Sequence, residues 1–297
     1  MPLNLILYPY RLYKLRRNQW QCSSKLKDLQ VKKLRVLIQH AYYKVDYYRR
    51  LFDRAGIKPK DIETIQDLVK IPITARKELQ SLPKRAVIAK DVDLNSCLNL
   101  RTSGSTGMPL DIFLGNREII SRWLFYRRMY FENDCRLTDK IATITSLRDF
   151  RRSKKWFRYL RISQEKYISI FEKTKDQLNS ILEYKPQIIG GFALSLKNLA
   201  IEIKKKRIKI INPRIIFTTA ELMIQQDRKF ISSVFQADII DYYCTNECGI
   251  IAWECKEHSG YHINSENVIV EFIKEDGMHA QDGEAGEIVI TSLNSYA

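Results

Sequence analysis

The segment 102–109, with the sequence TSGSTGMP, combines glycine and hydroxyl side chains in a way that suits an anion. Successive backbone N–H groups in a glycine-rich turn form a concave anion site, and hydroxyls add hydrogen-bond donors without adding charge. Gly104 and Gly107 allow positive φ angles and a close approach of the backbone to phosphate. No Gly-Lys-Ser/Thr follows at Walker spacing, which excludes a Walker loop. Because strand-like apolar runs flank the segment, a phosphate-binding loop is favoured over a Ser/Gly linker.

Two further polar segments come directly after short apolar runs: TTAEL at 218–222 and YYCTNECG at 242–249. Short apolar runs alternate with helical patterns in this part of the chain, which predicts a mostly parallel sheet covered by helices. Ligands bind to such sheets at the loops beyond the carboxyl ends of the strands. Both segments therefore lie where a ligand site is expected.

Taken together and in this order, these segments resemble the motifs of the adenylate-forming superfamily of acyl-CoA synthetases. The loop at 102–109 resembles its phosphate-binding motif T-S-G-[ST]-T-G-x-P, FTTAEL its adenine-binding loop, and DYYCTNECG its Tyr-Gly-x-[Ser/Thr]-Glu motif. GEIVITSLNSYA resembles the Gly-Glu strand that follows. The N-terminal stretch from HAYYKV to RKEL resembles one branch, the phenylacetate–CoA ligases and their relatives in capsular-polysaccharide gene clusters. The resemblance runs from about residue 30 to the C-terminus.

The resemblance implies the α/β fold of the large N-terminal domain of such a synthetase. We expect a mostly parallel sheet flanked by helices, with an antiparallel hairpin region near the C-terminus. The implied reaction is attack of a substrate carboxylate on the α-phosphorus of ATP, which gives an acyl-adenylate and pyrophosphate. The implied cofactors are ATP, Mg²⁺ and, in the complete protein, CoA. The implied substrate is a small carboxylic acid that the sequence does not identify.

The resemblance also implies a role for each matching residue. The residues implied in nucleotide binding are Thr102, Ser103, Gly104, Ser105, Thr106, Gly107, Ala220, Glu221, Tyr243, Thr245 and Glu247. Glu247 is the expected Mg²⁺ ligand, since a hard carboxylate suits that ion beside phosphate oxygens. Glu247 and Thr106 are expected to carry catalysis. The expected acid pocket comprises Gly190, Gly191 and Phe192. Each of these roles has an alternative. Residues 190–192 and Tyr243 could simply pack in the core, and Glu247 could be a carboxylate at the start of a helix.

Several features depart from the family pattern. Met108 stands where lysine is common, Cys244 replaces the usual glycine, and Asn246 replaces the usual serine or threonine. The chain ends before the expected Arg-Tyr-x-Thr-Gly-Asp segment and the small C-terminal domain with the catalytic lysine. We therefore expect a truncated or split chain with weak ATP binding and no full turnover. The alternative function is that of a non-catalytic or split relative, a binding partner in capsule or polysaccharide assembly.

A second group of chemically active residues lies within fifteen positions of one another. It comprises Cys248, Cys255, His258 and His262. Two thiolates and two imidazoles match the ligand preference of zinc, although the spacing is not that of a zinc finger. A structural Zn²⁺ site is one hypothesis, and free cysteines with surface histidines are the other.

The composition limits the partners that can be expected. The chain has 50 Lys+Arg against 34 Asp+Glu, a formal net charge of +16. The basic residues are spread out and match no RRM, KH or zinc-finger pattern, so we expect no nucleic-acid partner. Six cysteines are too sparse for a disulfide scaffold. With neither a secretory signal nor an apolar run long enough to span a bilayer, a cytoplasmic location is expected.

The basic, aromatic N-terminal segment has two candidate roles. It could touch a membrane surface, at most peripherally, or it could form a packed helix. The sequence leaves the oligomeric state open, and a homodimer is one candidate.

Helical periodicity dominates the first part of the chain. In 27–45, apolar residues recur at helical spacing, namely Leu29, Leu34, Leu37, Ile38 and Ala41. A following helix is expected to end at Gly56. We expect two domains: a helical segment, 1–90, packed on the core, and a nucleotide-binding α/β core, 91–297, truncated before the small C-terminal domain.

Strand patterns dominate the rest of the chain. QIIGG, PRIIFTTA and ADIIDYY predict three buried strands with helices between them, the first of those helices beginning at Ser195. NVIVEFI and GEIVITSL, separated by a run of turn residues, predict an antiparallel hairpin.

Overall fold

The structure is a computed structural model that describes residues 2–102, 109–146, 164–208 and 212–297. The loop residues Ser103, Gly104, Ser105, Thr106 and Gly107 therefore lie outside the described residues. The chain divides into two compact units. Unit 1 comprises Met1–Arg128, Thr245–Ile251 and Ile263–Ala297, and unit 2 comprises Met129–Cys244 and Ala252–His262. The domain boundary expected at residue 90 stays a prediction.

Within the described ranges the chain forms nine α-helices and eleven β-strands. The helices are α1 (Pro2–Asn18), α2 (Ser23–Lys44), α3 (Asp46–Arg54), α4 (Arg76–Ser81), α5 (Lys84–Val87), α6 (Asn116–Glu132), α7 (Thr174–Tyr184), α8 (Ala193–Lys206) and α9 (Gln225–Phe235). The strands are β1 (Leu98–Arg101), β2 (Asp111–Leu114), β3 (Lys140–Thr145), β4 (Gln164–Ser169), β5 (Ile188–Phe192), β6 (Ile215–Thr219), β7 (Asp238–Thr245), β8 (Gly249–Glu254), β9 (Tyr261–Ile263), β10 (Val268–Ile273) and β11 (Glu287–Ser292). None of the described helices combines the length and apolar character that crossing a bilayer requires.

Unit 1 begins with the helices that the periodicity predicted. Leu34 and Ile38 of α2 are buried in a core with Phe52 of α3, so the apolar stripe of α2 is its packed face. The helix α3 ends two residues before Gly56, whose φ of +70° is a left-handed conformation that glycine adopts without strain. This end point was predicted and is confirmed.

Two antiparallel hairpins complete unit 1. The strands β1 and β2 pair from Leu98↔Leu114 to Arg101↔Asp111. Residues 102–110, which include the segment 102–109, therefore connect the two strands of this hairpin. The strands β10 and β11 pair from Val268↔Ser292 to Ile273↔Glu287, as their alternation predicted. Ile269 of β10 and Leu293, the residue after β11, join the core formed with α2 and α3.

Unit 2 contains the parallel part of the main sheet. The strand order is β4-β3-β5-β6-β7-β8-β9, and the four neighbouring pairs from β4 to β7 are parallel. The helix α8 between β5 and β6 buries its predicted face, which comprises Leu196, Leu199, Ala200 and Ile203. These side chains share one core with Ile189, Ile216 and Ile239 of three strands. The predicted mostly parallel sheet flanked by helices is therefore confirmed.

Candidate functional site

The two ends of the loop 103–108 are joined by hydrogen bonds in unit 1. The backbone N–H of Thr102 donates to the carbonyl of Leu110 over 3.0 Å. In return, the backbone N–H of Leu110 donates to the Thr102 hydroxyl over 2.8 Å. These bonds extend the β1–β2 ladder by one step, so both ends of the loop are held at the tip of a hairpin. The predicted phosphate-loop residues 103–107 follow Thr102 in the sequence and lie outside the described residues.

Arg76, the first residue of α4, links this base to Glu247. Its Nη2 donates a hydrogen bond to the Thr102 hydroxyl, and its Nη1 lies 3.8 Å from Glu247 Oε1. The Thr102 oxygen thus accepts from both Arg76 and Leu110, which leaves its own O–H as a donor. Thr102 is buried, while the Glu247 and Arg76 side chains are partly exposed. A hydroxyl donor, a guanidinium and a carboxylate therefore lie together in unit 1.

The turn that carries Glu247 is held by the side chain of Arg122. Arg122, in α6, donates from Nη1 to the carbonyl of Asn246 over 2.8 Å and from Nη2 to the carbonyl of Glu247 over 2.7 Å. The backbone N–H of Cys248 donates to Thr245 Oγ1 over 3.1 Å. Burial lowers the pKa of Arg122 from its ordinary value, but a guanidinium stays protonated at neutral pH. Hydrogen bonds to its backbone thus fix this turn, while the Glu247 carboxylate remains accessible to solvent.

Two neighbouring residues complete the support of this turn. Asn267 Nδ2 donates to the carbonyls of Cys248 and Ile250, each over 2.8 Å. Gly249 has φ +69°, and a Cβ there would lie 3.3 Å from Arg122 Cγ. The position therefore favours glycine for two reasons: its φ is positive, and the aliphatic part of the Arg122 side chain leaves little room for a Cβ.

In unit 2, the predicted adenine loop is tied to the start of α8. Glu221 Oε2 accepts a hydrogen bond of 2.7 Å from the backbone N–H of Leu194, in the first turn of that helix. A carboxylate at this place satisfies an unpaired helical N–H and lies at the positive end of the helix dipole. The helix consequently begins at Ala193, two residues before Ser195, and the predicted start is wrong. Ala220, just before Glu221, has a left-handed φ of +68°.

The carboxyl ends of β6 and β7 are also linked. Thr219 Oγ1 donates to the carbonyl of Tyr242 over 2.8 Å and lies 3.4 Å from Cys244 Sγ. Phe192 pairs with Thr219 in the parallel register, so the ends of β5, β6 and β7 are adjacent. Tyr243 is exposed at the end of β7. The sheet therefore brings the predicted residues of unit 2 to one edge, as the strand order requires.

Gly190 and Gly191 were expected to leave space for the acid. Both are buried in β5, and a Cβ on Gly191 would lie 3.3 Å from Cβ of Ile144. A Cβ on Gly190 would lie 3.4 Å from Thr143 Oγ1. The side chains of β3 thus fill the space beside both glycines, which corresponds to the packing alternative. Phe192 is half-buried at the end of the strand, and its role in an acid pocket stays a prediction.

The four predicted zinc ligands do not form a metal centre. Within residues 2–102, 109–146, 164–208 and 212–297, no three His, Cys, Asp or Glu side chains are arranged to hold a metal ion. His258 Nε2 instead lies 2.9 Å from Asp238 Oδ1, and its Nδ1 lies 3.6 Å from Glu254 Oε2. Burial raises the pKa of the Cys248 thiol, which opposes the thiolate that zinc requires. The zinc hypothesis for Cys248, Cys255, His258 and His262 is therefore not supported by this geometry.

Sequence reasoning missed two of the residues that organise unit 1. Arg76 stands in the ordinary helical segment ARKEL, and Arg122 stands in a helix with several other arginines. Arg76 lies at the end of the stretch that resembles one branch of the family, but no motif gave a role to it or to Arg122. Both act on partners far away in sequence. No signal in a single sequence distinguishes them from arginines on a solvated helix face.

With the fold and these contacts described, known proteins provide a comparison. No protein-family model matches the chain. A phenylacetate–coenzyme A ligase from Pseudomonas putida is 26% identical over 280 residues, which covers 92% of this chain and 63% of that protein. A phenylacetate–coenzyme A ligase from Aromatoleum evansii is 33% identical over 87 residues, or 29% of this chain and 20% of that protein. The chain thus spans less than two thirds of the length of the curated relatives it matches.

A solved structure shares the fold. The 2-hydroxyisobutyryl-CoA ligase, solved in the postadenylation state in complex with 2-HIB-AMP, superimposes with a TM-score of 0.80. It is 15% identical in sequence, and the match covers 93% of this chain and 61% of that one. At this identity the likeness establishes the fold alone. The expected fold, that of the large N-terminal domain of an acyl-CoA synthetase, is thereby confirmed.

Proposed function

We propose that this chain is the nucleotide-binding part of an adenylate-forming acid–CoA ligase of the phenylacetate–CoA ligase type. The observation that carries the proposal is the similarity, along nearly the whole chain, to a curated phenylacetate–coenzyme A ligase. The contacts within unit 1 support it. They hold a loop rich in glycine and hydroxyl groups by both ends and place a cation and a carboxylate at its base.

Thr102 and Arg76 are proposed to bind the phosphates of ATP. The Thr102 hydroxyl is already an acceptor for two donors, so its remaining hydrogen bond is the donation that a phosphate oxygen accepts. The Arg76 guanidinium provides positive charge beside it and bonds with planar geometry to oxyanions. Backbone and hydroxyl donors of Ser103, Gly104, Ser105, Thr106 and Gly107 are proposed to complete the phosphate loop. Fixed donors of this kind stabilise charge that develops as pyrophosphate leaves.

Glu247 is proposed to hold Mg²⁺. Its side chain is partly exposed, and proteins commonly bind Mg²⁺ through one or two carboxylates together with substrate phosphates. The bound ion would neutralise charge on the phosphates. The two carbonyls held by Arg122 and the two held by Asn267 fix the turn, so the carboxylate is positioned before any ligand arrives. Arg76, 3.8 Å away, balances the charge of this carboxylate in the structure.

In unit 2, Ala220, Glu221 and Tyr243 are proposed to contact the adenine. For Thr245, in unit 1, the sequence resemblance supports a role in nucleotide binding. Because the Glu221 carboxylate already bonds to α8, we assign its contribution to the backbone of the loop. The exposed Tyr243 ring suits stacking on a base. Phe192 is proposed to face the acid. The substrate carboxylate attacks the α-phosphorus, the bond to the bridging oxygen breaks, and acyl-adenylate and pyrophosphate form. In the second half-reaction, the thiol of CoA displaces AMP and forms the acyl-CoA thioester.

The narrower proposals rest on the sequence resemblance alone. They are a place in capsular-polysaccharide biosynthesis and the alternative of a non-catalytic or split relative that acts as a binding partner. Pyrophosphate exchange separates enzyme from non-enzyme. Labelled pyrophosphate is incubated with the chain, Mg·ATP and one acid at a time, including phenylacetate, 2-hydroxyisobutyrate and acetate. Because weak ATP binding and no full turnover are expected of this chain, we expect only slow acid-dependent exchange into ATP, which Glu247→Gln abolishes. Binding of Mg·ATP without exchange for any acid would favour the non-catalytic alternative.

A further inference from the structure

One face of α1 packs on the rest of unit 1. The ring of Tyr8 lies with its centroid 6.3 Å from that of Trp123. Asn18 Nδ2 donates to Glu266 Oε1 over 2.7 Å, and Arg128 Nη1 donates to the carbonyl of Leu15 over 3.3 Å. These contacts fix the rotation of the helix about its axis, since residues three to four positions apart share a face.

The opposite face of α1 and the turn after it carry exposed aromatic rings. Tyr10, Tyr13 and Trp20 are 60%, 62% and 80% exposed. At 3.6 residues per turn, Tyr10 and Tyr13 point away from Leu15 and Asn18, and Trp20 is exposed on the turn that follows. This short segment thus exposes three large rings to solvent.

Positive charge surrounds these rings. The exposed basic side chains of this segment are Arg11, Lys14, Arg16, Arg17, Lys25 and Lys27. The first acidic residue of the chain is Asp28, so no carboxylate of the first 27 residues offsets these charges. We call the three rings and these six cations the basic–aromatic face.

We propose that the basic–aromatic face docks this protein on the surface of an anionic lipid bilayer. The charge complementarity is the argument: each Lys or Arg near an anionic leaflet contributes about 1 kcal/mol of attraction. Tyr and Trp are the side chains that settle at the level of the lipid headgroups, with the ring in the apolar layer and the polar group in water. The attachment is peripheral, through charge attraction and rings at the level of the headgroups.

The shape of the face favours a membrane over nucleic acid. Single-stranded nucleic acid is bound in grooves whose rings stack on successive bases. The rings of the basic–aromatic face lie on α1 and on the turn after it, and its cations lie on α1 and at the start of α2. These side chains project from the outside of helices, which suits contact with a planar surface. A bilayer is therefore the one occupant that fits both the charge and the form.

Co-sedimentation with vesicles tests the proposal. The full chain is mixed with vesicles of phosphatidylcholine alone or of phosphatidylcholine and phosphatidylserine at 70:30, at low and at high salt. We expect binding to the anionic vesicles that high salt weakens, and little binding to the neutral ones. Equal binding to both vesicles, or no binding to either, would overturn the proposal.

Matched variants locate the contact. Lys14→Gln/Arg17→Gln is expected to lower the partition coefficient by about 30-fold, since two charges are lost. Lys205→Gln/Lys229→Gln removes the same charge from exposed sites elsewhere and is expected to change it little. Trp20→Ser is expected to weaken binding, whereas Phe171→Ser, at a ring that is 81% exposed, is the aromatic control. Equal losses in the test and control variants would overturn the proposal.

Tryptophan fluorescence tests the contact in a way that does not depend on how well the variants fold. Trp20 is one of four tryptophans, and its environment changes if it enters a bilayer. We expect anionic vesicles to shift the fluorescence of the full chain to shorter wavelength, and Trp20→Phe to lose this shift while retaining the unfolding temperature of the parent. A shift that persists in Trp20→Phe, or displacement from the vesicles by oligonucleotide at equal phosphate concentration, would overturn the membrane assignment.

Discussion

Arg76 Nη1 lies 3.8 Å from Glu247 Oε1, and Nη2 of the same guanidinium donates a hydrogen bond to the Thr102 hydroxyl. One side chain thus joins the base of the glycine- and hydroxyl-rich loop to the carboxylate proposed to hold Mg²⁺. The three groups come from a short helix, a hairpin tip and a turn that are far apart in sequence. Their meeting within unit 1 is the geometric basis for assigning the phosphates of ATP to this place.

Replacement of Arg76 by alanine should weaken nucleotide binding. The variant loses the positive charge beside the phosphates and one hydrogen bond to Thr102, which together correspond to about a tenfold higher Kd for Mg·ATP. Arg76→Lys should lose less, since it retains the charge but not the planar fork. Calorimetric titration measures the three Kd values.

Arg35→Ala is the control for this prediction. Arg35 likewise donates hydrogen bonds, here to the backbone carbonyl of Glu63, but on an exposed surface of unit 1. Its replacement should leave the Kd for Mg·ATP unchanged. An Arg76→Ala variant that binds as tightly as the parent would show that Arg76 has no part in the phosphate site.

Gly249→Ala should lower the free energy of unfolding more than Gly277→Ala does. Both glycines have a positive φ, +69° and +80°, which costs about 1 kcal/mol for alanine. Only at Gly249 would the new Cβ meet a side chain, Arg122, at 3.3 Å, while nothing lies within 4 Å at Gly277. Urea unfolding should show the larger loss for Gly249→Ala, and only this variant should weaken Mg·ATP binding. Equal losses of stability with unchanged binding would contradict the role assigned to Arg122.

Removal of one partner of the ion pair between Arg128 and Glu266 should strongly destabilise the chain. Arg128 Nη1 and Glu266 Oε2 are 2.6 Å apart, and both side chains are buried. Arg128→Met leaves a buried carboxylate without its cation, which should lower the free energy of unfolding by about 3–5 kcal/mol. Arg128→Met/Glu266→Leu should recover part of this loss, as urea unfolding can measure.

The exposed pair of Lys44 and Asp91 is the control for the buried one. Its atoms are 3.1 Å apart at the surface, so Lys44→Met should cost about 1 kcal/mol or less. If Arg128→Met cost no more than Lys44→Met, the buried pair would not stabilise unit 1.

Asp241→Asn should stabilise the chain more at pH 8 than at pH 4.5. Burial raises the pKa of the Asp241 carboxyl above its usual 3.8, and the neighbouring Glu254 carboxylate raises it further. A group with a higher pKa in the folded chain binds its proton more tightly there, so its contribution to stability falls as the pH rises through that range. The asparagine removes the ionised form. Unfolding temperatures at both pH values test this, with exposed Asp282→Asn as the control; a smaller gain at pH 8 than at pH 4.5 would contradict it.

Much of the fold could be predicted because it depends on local periodicity. The apolar residues of α8 recur at helical spacing, and the runs before and after that helix are short and apolar, so the order β5-α8-β6 followed from the pattern. The hairpin of β10 and β11 followed from alternation on either side of a turn-rich segment. These patterns report which face of each element is buried.

The candidate site could be predicted only in part because its organisation depends on distant contacts. Arg122 reaches carbonyls 124 and 125 residues away, and no local pattern marks that pairing. The start of α8 was misplaced because its first turn is satisfied by Glu221, 27 residues further along, and not by the nearby Ser195. Spacing alone also suggested a zinc site, but His258 is paired with Asp238 and Glu254 in the structure.

Calorimetric titration of Mg·ATP, and of a non-hydrolysable phenylacetyl-adenylate analogue, into the chain tests the central claim most directly. Glu247→Gln is the test variant, and Glu183→Gln, whose side chain is largely exposed on α7, is the control. We predict that the parent and Glu183→Gln bind both ligands, and that Glu247→Gln binds Mg·ATP at least about tenfold more weakly. Failure of the folded parent chain to bind either ligand, or equal affinity in Glu247→Gln, would contradict the account.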